Sequence, residues 1–151
     1  MTRVVWDYEG YTRQQVWDVL LNAHTWPIGV RSFRPEMDKN FVCGWLPLVG
    51  TRYIGMTHCR VTAVKIWRYL TVDVVVPRAS GDATKLVIRS ELHELRPLKI
   101  SAVTDIYGLD TSDREQLILI RMIKTIVVWI HGHADMALCN PHDLHRSTSR
   151  F

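Results

Sequence analysis

Cysteine is scarce in this chain: Cys43, Cys59 and Cys139 are odd in number, far apart and without a CxxC pair. That excludes a disulfide framework and fits a reducing, cytoplasmic setting with free thiols. Long apolar runs are missing too. Nothing resembling a signal peptide follows Met1. The most apolar stretch, 117–130, is broken by Arg121 and Lys124 and is shorter than the roughly 20 residues that span a bilayer. No membrane span is expected. Charge of one sign is nowhere concentrated: 19 basic against 15 acidic residues leave a net +4, and the densest basic group is His142, His145, Arg146 and Arg150 at the far C-terminus. A nucleic-acid surface gathers its phosphate contacts on one face, so no nucleic-acid partner is expected. There is no GxSxG, P-loop, GxGxxG or HExxH, and nothing asks for a cofactor.

What is present is an ordinary globular composition, 47% hydrophobic and 23% charged over 151 residues, enough for one core. No repeat or linker divides it. The reading is a single domain over 1–140 and a polar tail over 141–151.

Residues 3–9 alternate, with Val4, Trp6 and Tyr8 on one face, as in a half-buried strand. Thr12-Arg13-Gln14-Gln15 is a capping box opening a helix that buries Val16, Val19 and Leu20, flanked by Trp17 or Leu21, and stops before Pro27. Residues 28–50, punctuated by Pro35, Gly44, Pro47 and Gly50, predict a short strand or two within a partly apolar loop. Strands follow at about 51–64, 68–76, 84–95 and 99–107, with turns at Pro77 to Asp82 and at Arg96-Pro97. Leu86, Ile88, Ser90 and Leu92 share one strand face and Lys85, Arg89, Glu91 and His93 the other. The spacings are too short for helical crossovers, so the strands form an antiparallel meander. Ser112-Asp113-Arg114-Glu115 reads as a second capping box, and a helix then runs to about Leu138. Leu119, Ile123, Ile126, Val127, Ile130, Ala134 and Ala137 make its apolar stripe. The fold class is therefore α+β, with a long terminal helix across a curved antiparallel sheet.

In that order the chain resembles the START-like (Bet v 1-like, polyketide cyclase/dehydrase) superfamily, a helix-grip fold. The residues carrying the resemblance are Tyr11-Thr12 to Trp17-Asp18-Val19-Leu20, Thr25-Trp26-Pro27, Val49-Gly50-Thr51-Arg52-Tyr53, Val61-Thr62-Ala63-Val64, Arg68-Tyr69-Leu70-Thr71-Val72, Ala83-Thr84-Lys85-Leu86-Val87 and the final helix. The chain departs from it at Ile28-Gly29-Val30, where members often carry a second tryptophan. The resemblance implies an internal cavity for a small hydrophobic or aromatic, polyketide-like ligand, which the protein either cyclises, dehydrates or isomerises, or merely carries or senses. A protein-interaction module of the same fold with a filled interior is the third reading, and a homodimer is compatible with all three.

The candidate ligand-binding residues are Leu86, Ile88 and Ser90 on one strand, Ile123 and Val127 on the helix, Trp45 and Met56 at the mouth, and Tyr107. Each could equally be ordinary core. The acid–base candidates are His58, on one strand face with Met56 and Arg60, and Asp105, within Val103-Thr104-Asp105-Ile106-Tyr107. A carboxylate among strand hydrophobics can have a raised pKa, although alternation more often turns it outward, as expected for Asp73. His131, Asp135 and Cys139, spaced by four and joined by His142, could align on a metal. His131 and His133 cannot share one, because they point opposite ways on a helix. A solvated helix end is the simpler reading, and no metal is expected.

Overall fold

A computed structural model describes residues 1–45 and 47–139; the tail expected over 141–151, with His142, lies outside the described residues. The elements are β1 (Thr2–Glu9), α1 (Arg13–Leu20), a single 3-10 turn (Ala23–Thr25), β2 (Gly29–Arg31), β3 (Asn40–Gly44), β4 (Met56–Lys65), β5 (Tyr69–Pro77), β6 (Ala83–Arg96), β7 (Lys99–Tyr107) and α2 (Arg114–Cys139). All seven strands form one antiparallel sheet in the order β1-β7-β6-β5-β4-β3-β2. The fold is the helix-grip α+β arrangement expected: a curved sheet, a short helix after the first strand, and a long helix at the C-terminal end. Register shifts at Val61/Ala63 in β4 and at Glu94/Arg96 in β6 interrupt the ladders. Bulges of this kind bend and twist a sheet, so they contribute to its curvature.

The local chemistry explains the elements. Thr12 caps α1 as a full capping box, its hydroxyl accepting from Gln15 N at 3.2 Å while Gln15 Oε1 accepts from Thr12 N at 2.9 Å. Val16 and Trp17 are buried, whereas Val19, Leu20 and Leu21 are only partly so. The cap of α2 differs from the one expected. Asp113, not Ser112, accepts from Gln116 N (3.1 Å), and the Ser112 hydroxyl instead donates to Asp110 (2.7 Å). Glu115 turns away from the cap to pair with Arg52, accepting from Arg52 Nε at 2.7 Å and from Arg52 N at 2.8 Å. That contact ties the helix start to the loop before β4. The strand expected from residue 51 begins at Met56; before it only Tyr53 bridges, to Arg78.

At 26 residues α2 is longer than the apolar run that suggested it. By length and composition it is long enough to cross a bilayer. In the fold, Leu119, Ile120, Ile123, His131 and Ala134 are buried, while Val128, Trp129 and Met136 on the outer side are exposed. The sheet's concave side supplies Tyr8, Phe41, Cys59, Val61, Leu70, Val72, Leu92, Ile100 and Ala102 to the same core.

Candidate functional site

The sheet is too curved, and the helix too narrow, for their side chains to fill the space between them. A cavity of about 200 Å³ remains, partly open to solvent. Its sheet wall is Phe41 and Cys43 of β3, Thr57 and Cys59 of β4, Leu70, Val72, Val74 and Val76 of β5, Ile88, Ser90 and Leu92 of β6, and Ala102 and Thr104 of β7. Leu119, Met122, Ile123, Ile126, Val127, Ile130 and His131 of α2 cover it. Period two explains the wall, because every lining strand residue lies an even number of steps from its neighbours on the same strand.

Leu20, Leu21, Trp26, Ile28 and Trp45 also line the space and are only partly buried, as are Met122 and Ile126 across from them, so these residues frame the opening. Local bonds hold the mouth. Trp26 Nε1 donates to Leu20 O (2.7 Å), its ring meets Phe33 at 5.0 Å, and Phe33 meets Phe41 edge-on at 4.9 Å. Trp45 N donates to Gly55 O at 2.7 Å.

Among the described residues no Lys, Arg, Asp or Glu lines the cavity. Its polar groups are few. The Ser90 and Thr104 hydroxyls, opposite each other on β6 and β7, bond at 3.0 Å. Thr57 donates to Cys43 O at 3.4 Å and lies 3.6 Å from Cys59 Sγ. Cys43 and Cys59 are free, buried thiols; the neighbouring Cys59 and burial push the Cys43 thiol up, so it stays neutral. Besides the indole N–H groups of Trp26 and Trp45 at the mouth, the lining holds His131, 4% exposed. Its Nδ1 is 2.7 Å from the Tyr8 hydroxyl, and its ring stacks on Trp6 at 5.8 Å with only 12° between planes. Trp6 Nε1 in turn donates to Asp135 Oδ2 at 3.3 Å. Burial pushes the His131 pKa down to about 4, so the ring is neutral at physiological pH. Burial likewise pushes the Tyr8 hydroxyl up and keeps it protonated.

Five of the sequence-predicted site residues meet here: Ile88, Ser90, Ile123, Val127 and Trp45. Leu86 shares their strand face but is sunk in the core and does not line the cavity. Met56, His58, Asp105 and Tyr107 require correction, because the pleat turns all four to the opposite, convex side. In β4 it is Thr57, Cys59 and Val61 that point inward, leaving Met56 and His58 exposed. In β7 Thr104 faces the cavity, so Asp105 faces away. There Asp105 takes a two-pronged pair from Arg3 (Nε–Oδ1 2.7 Å, Nη2–Oδ2 3.0 Å) and a bond from the Tyr107 hydroxyl at 3.2 Å. Arg3 holds the Asp105 carboxyl below its ordinary value, opposite to the raised pKa an acid–base role would need. Asp105 is a strand clamp between β1 and β7. Asp73 faces outward, as alternation implied.

His131, taken above as part of a solvated helix end or a metal set, is inside. It turns toward Tyr8 while Asp135 serves Trp6, and among the described residues no three His, Cys, Asp or Glu side chains converge on one point. A signal for it was present in the spacing: His131 is four residues beyond Val127 and three before Ala134, on the apolar stripe itself.

These placements predict that His58→Ala and Asp105→Asn leave the affinity for a cavity ligand within about twofold, since contributions of residues without shared contacts are independent. Fluorescence titration of both variants checks this; a tenfold loss in either would return that residue to the site.

No protein-family model and no curated protein matches this sequence. Solved structures do match in shape. A Mesorhizobium loti protein superimposes with a TM-score of 0.70 at 16% identity, over 92% of this chain and 98% of its own. A conserved protein from Geobacillus kaustophilus gives 0.62 at 11% identity, over 91% and 94%. DynU16, a protein in the dynemicin biosynthetic locus, gives 0.65 at 11% identity, over 91% of this chain and 46% of its own. At these identities the likeness establishes the architecture alone: a seven-stranded antiparallel sheet with a C-terminal helix, consistent with the START-like fold.

Proposed function

We propose that this protein binds a small hydrophobic or aromatic metabolite between the sheet and α2. The observation that carries the reading is the apolar cavity of about 200 Å³ in the middle of an otherwise close-packed fold. An engineered apolar cavity of about 150 Å³ takes up benzene, so this space suits a body of about one or two rings, with any remainder projecting through the mouth. An interior filled by side chains, as an interaction module would have, is disfavoured by the same space.

A catalytic version, in which a polyketide-like substrate is cyclised, dehydrated or isomerised, draws support from DynU16, a similarly folded protein in a biosynthetic locus. On this chain such chemistry would rest on confining one reactive conformation. Among the described residues no carboxylate lines the cavity, and neutral His131 is the one histidine that does.

Native mass spectrometry of protein from its source cells tests the reading. A bound small molecule that disappears on mild denaturation is expected, together with a rise in melting temperature when a neutral naphthalene derivative is added. Bare protein and no thermal response across a panel of one- and two-ring neutral compounds would remove the ligand from the account. Conversion of an added polyketide mimic, against none, separates enzyme from carrier.

A further inference from the structure

We infer that the cavity selects an uncharged ligand bearing a carbonyl-type hydrogen-bond acceptor, and that His131 Nε2 is the group that receives it. This rests on the cavity being a ligand site and adds the chemical class of the ligand.

The first argument is exclusion by charge. A carboxylate or phosphate taken into an apolar space needs a cation or several donors to replace its water. Among the described residues the cavity wall holds no Lys or Arg, and its hydroxyls and thiols are largely committed to one another: Ser90 to Thr104, and Thr57 to the Cys43 carbonyl. A cation fares no better, because no Asp or Glu lines the space either. Fatty acids and other anionic amphiphiles are therefore poor occupants.

The second argument is a buried donor left free. His131 lines the cavity while 96% of its surface is buried, and Tyr8, which does not line it, occupies Nδ1 at 2.7 Å. The phenol is the more acidic of the two groups, so the stronger arrangement has Tyr8 donating into Nδ1. The other contact of that hydroxyl, to the His131 carbonyl, is 3.5 Å and too long to claim the proton. With Nδ1 accepting, the neutral ring carries its proton on Nε2. Nε2 has no hydrogen-bond partner among the described residues, and it is not among the buried side-chain atoms sealed without one. Stacking on Trp6 holds the ring in place. A fixed N–H donor at the edge of an apolar space is the arrangement that rewards a ketone, quinone or similar carbonyl oxygen.

Three probes of one shape test this at pH 7.5 by quenching of tryptophan fluorescence: 2-acetylnaphthalene, 2-ethylnaphthalene and 2-naphthoate. The ketone is expected to bind about three- to tenfold tighter than the hydrocarbon, the ordinary worth of one neutral hydrogen bond. The acid is expected to bind at least about a hundredfold more weakly than the ketone, because its charge goes unpaired. In the double variant Tyr8→Phe with His131→Phe, which replaces both partners by apolar groups of similar shape, the ketone should fall to the level of the hydrocarbon while the hydrocarbon is unchanged. Equal binding of ketone and hydrocarbon by the native chain, or tight binding of 2-naphthoate, overturns the selection but leaves the cavity reading standing. Failure of all three probes overturns both. The ranking in the native chain decides the matter even if the double variant does not fold.

Discussion

Lowering the pH from 7 to 5 is expected to cost the folded protein about 2 kcal/mol, and about 3 kcal/mol by pH 4, with His131 as the source. Burial holds the His131 pKa near 4, against 6.5 for the exposed ring. Between those values the unfolded chain takes up a proton that the folded chain refuses. The unfolded state therefore binds more protons, and stability falls as pH falls. Above 6.5 both states are neutral and the contribution is complete. It diminishes through the window and is gone below about 4. Asp105, held low by Arg3, and Glu115, held low by Arg52, have the same sign, but they act only as pH approaches the ordinary carboxylate range. The interval from 6.5 to 5 thus isolates the histidine. Denaturant unfolding at half-unit steps measures it. The Tyr8→Phe, His131→Phe double variant should be nearly flat above pH 5, and an unchanged slope in that variant would assign the effect elsewhere.

The second large effect is on binding. Ser90→Phe places a ring on β6, beside the middle strand of the cavity wall, and fills roughly half of the open volume, on the usual side-chain volumes. A two-ring ligand then no longer fits, and affinity for 2-acetylnaphthalene should drop by about a hundredfold or more. Overpacking a filled core costs about 1–3 kcal/mol, but here the ring enters empty space, so the melting temperature should change little. The Thr104 hydroxyl loses its partner, which limits any gain. Retained binding with an unchanged melting temperature would mean that the probe sits outside the cavity. A collapse in stability would mean that the space is already occupied by side-chain motion and not truly free.

Much of the architecture was legible because it rests on short-range rules. The capping box at Thr12, the alternation of Val4, Trp6 and Tyr8, and the sequence-adjacent strands each involve residues a few positions apart. The stripe on α2 was legible for the same reason, and it carried Ile123 and Val127 to the cavity. The site was harder. In 56–60 both faces are mixed, Thr57 and Cys59 against Met56, His58 and Arg60, so composition could not tell inside from outside. The contact that resolves Asp105 joins residues 102 positions apart, Arg3 at one end of the chain and the last strand at the other. Nothing local announces such a pair.

By itself, the order of residues determined the periods, the caps and the turns, and through them an antiparallel meander closed by a long helix, because those features follow from backbone geometry over a few residues. Only the tertiary structure decided which face of β4 and of β7 looks inward, that a gap survives beneath α2, and that His131 rather than His58 or Asp105 lies beside it. Those outcomes depend on how a curved sheet and a rod fail to fill the volume between them, a property of the assembled surfaces that no single segment contains.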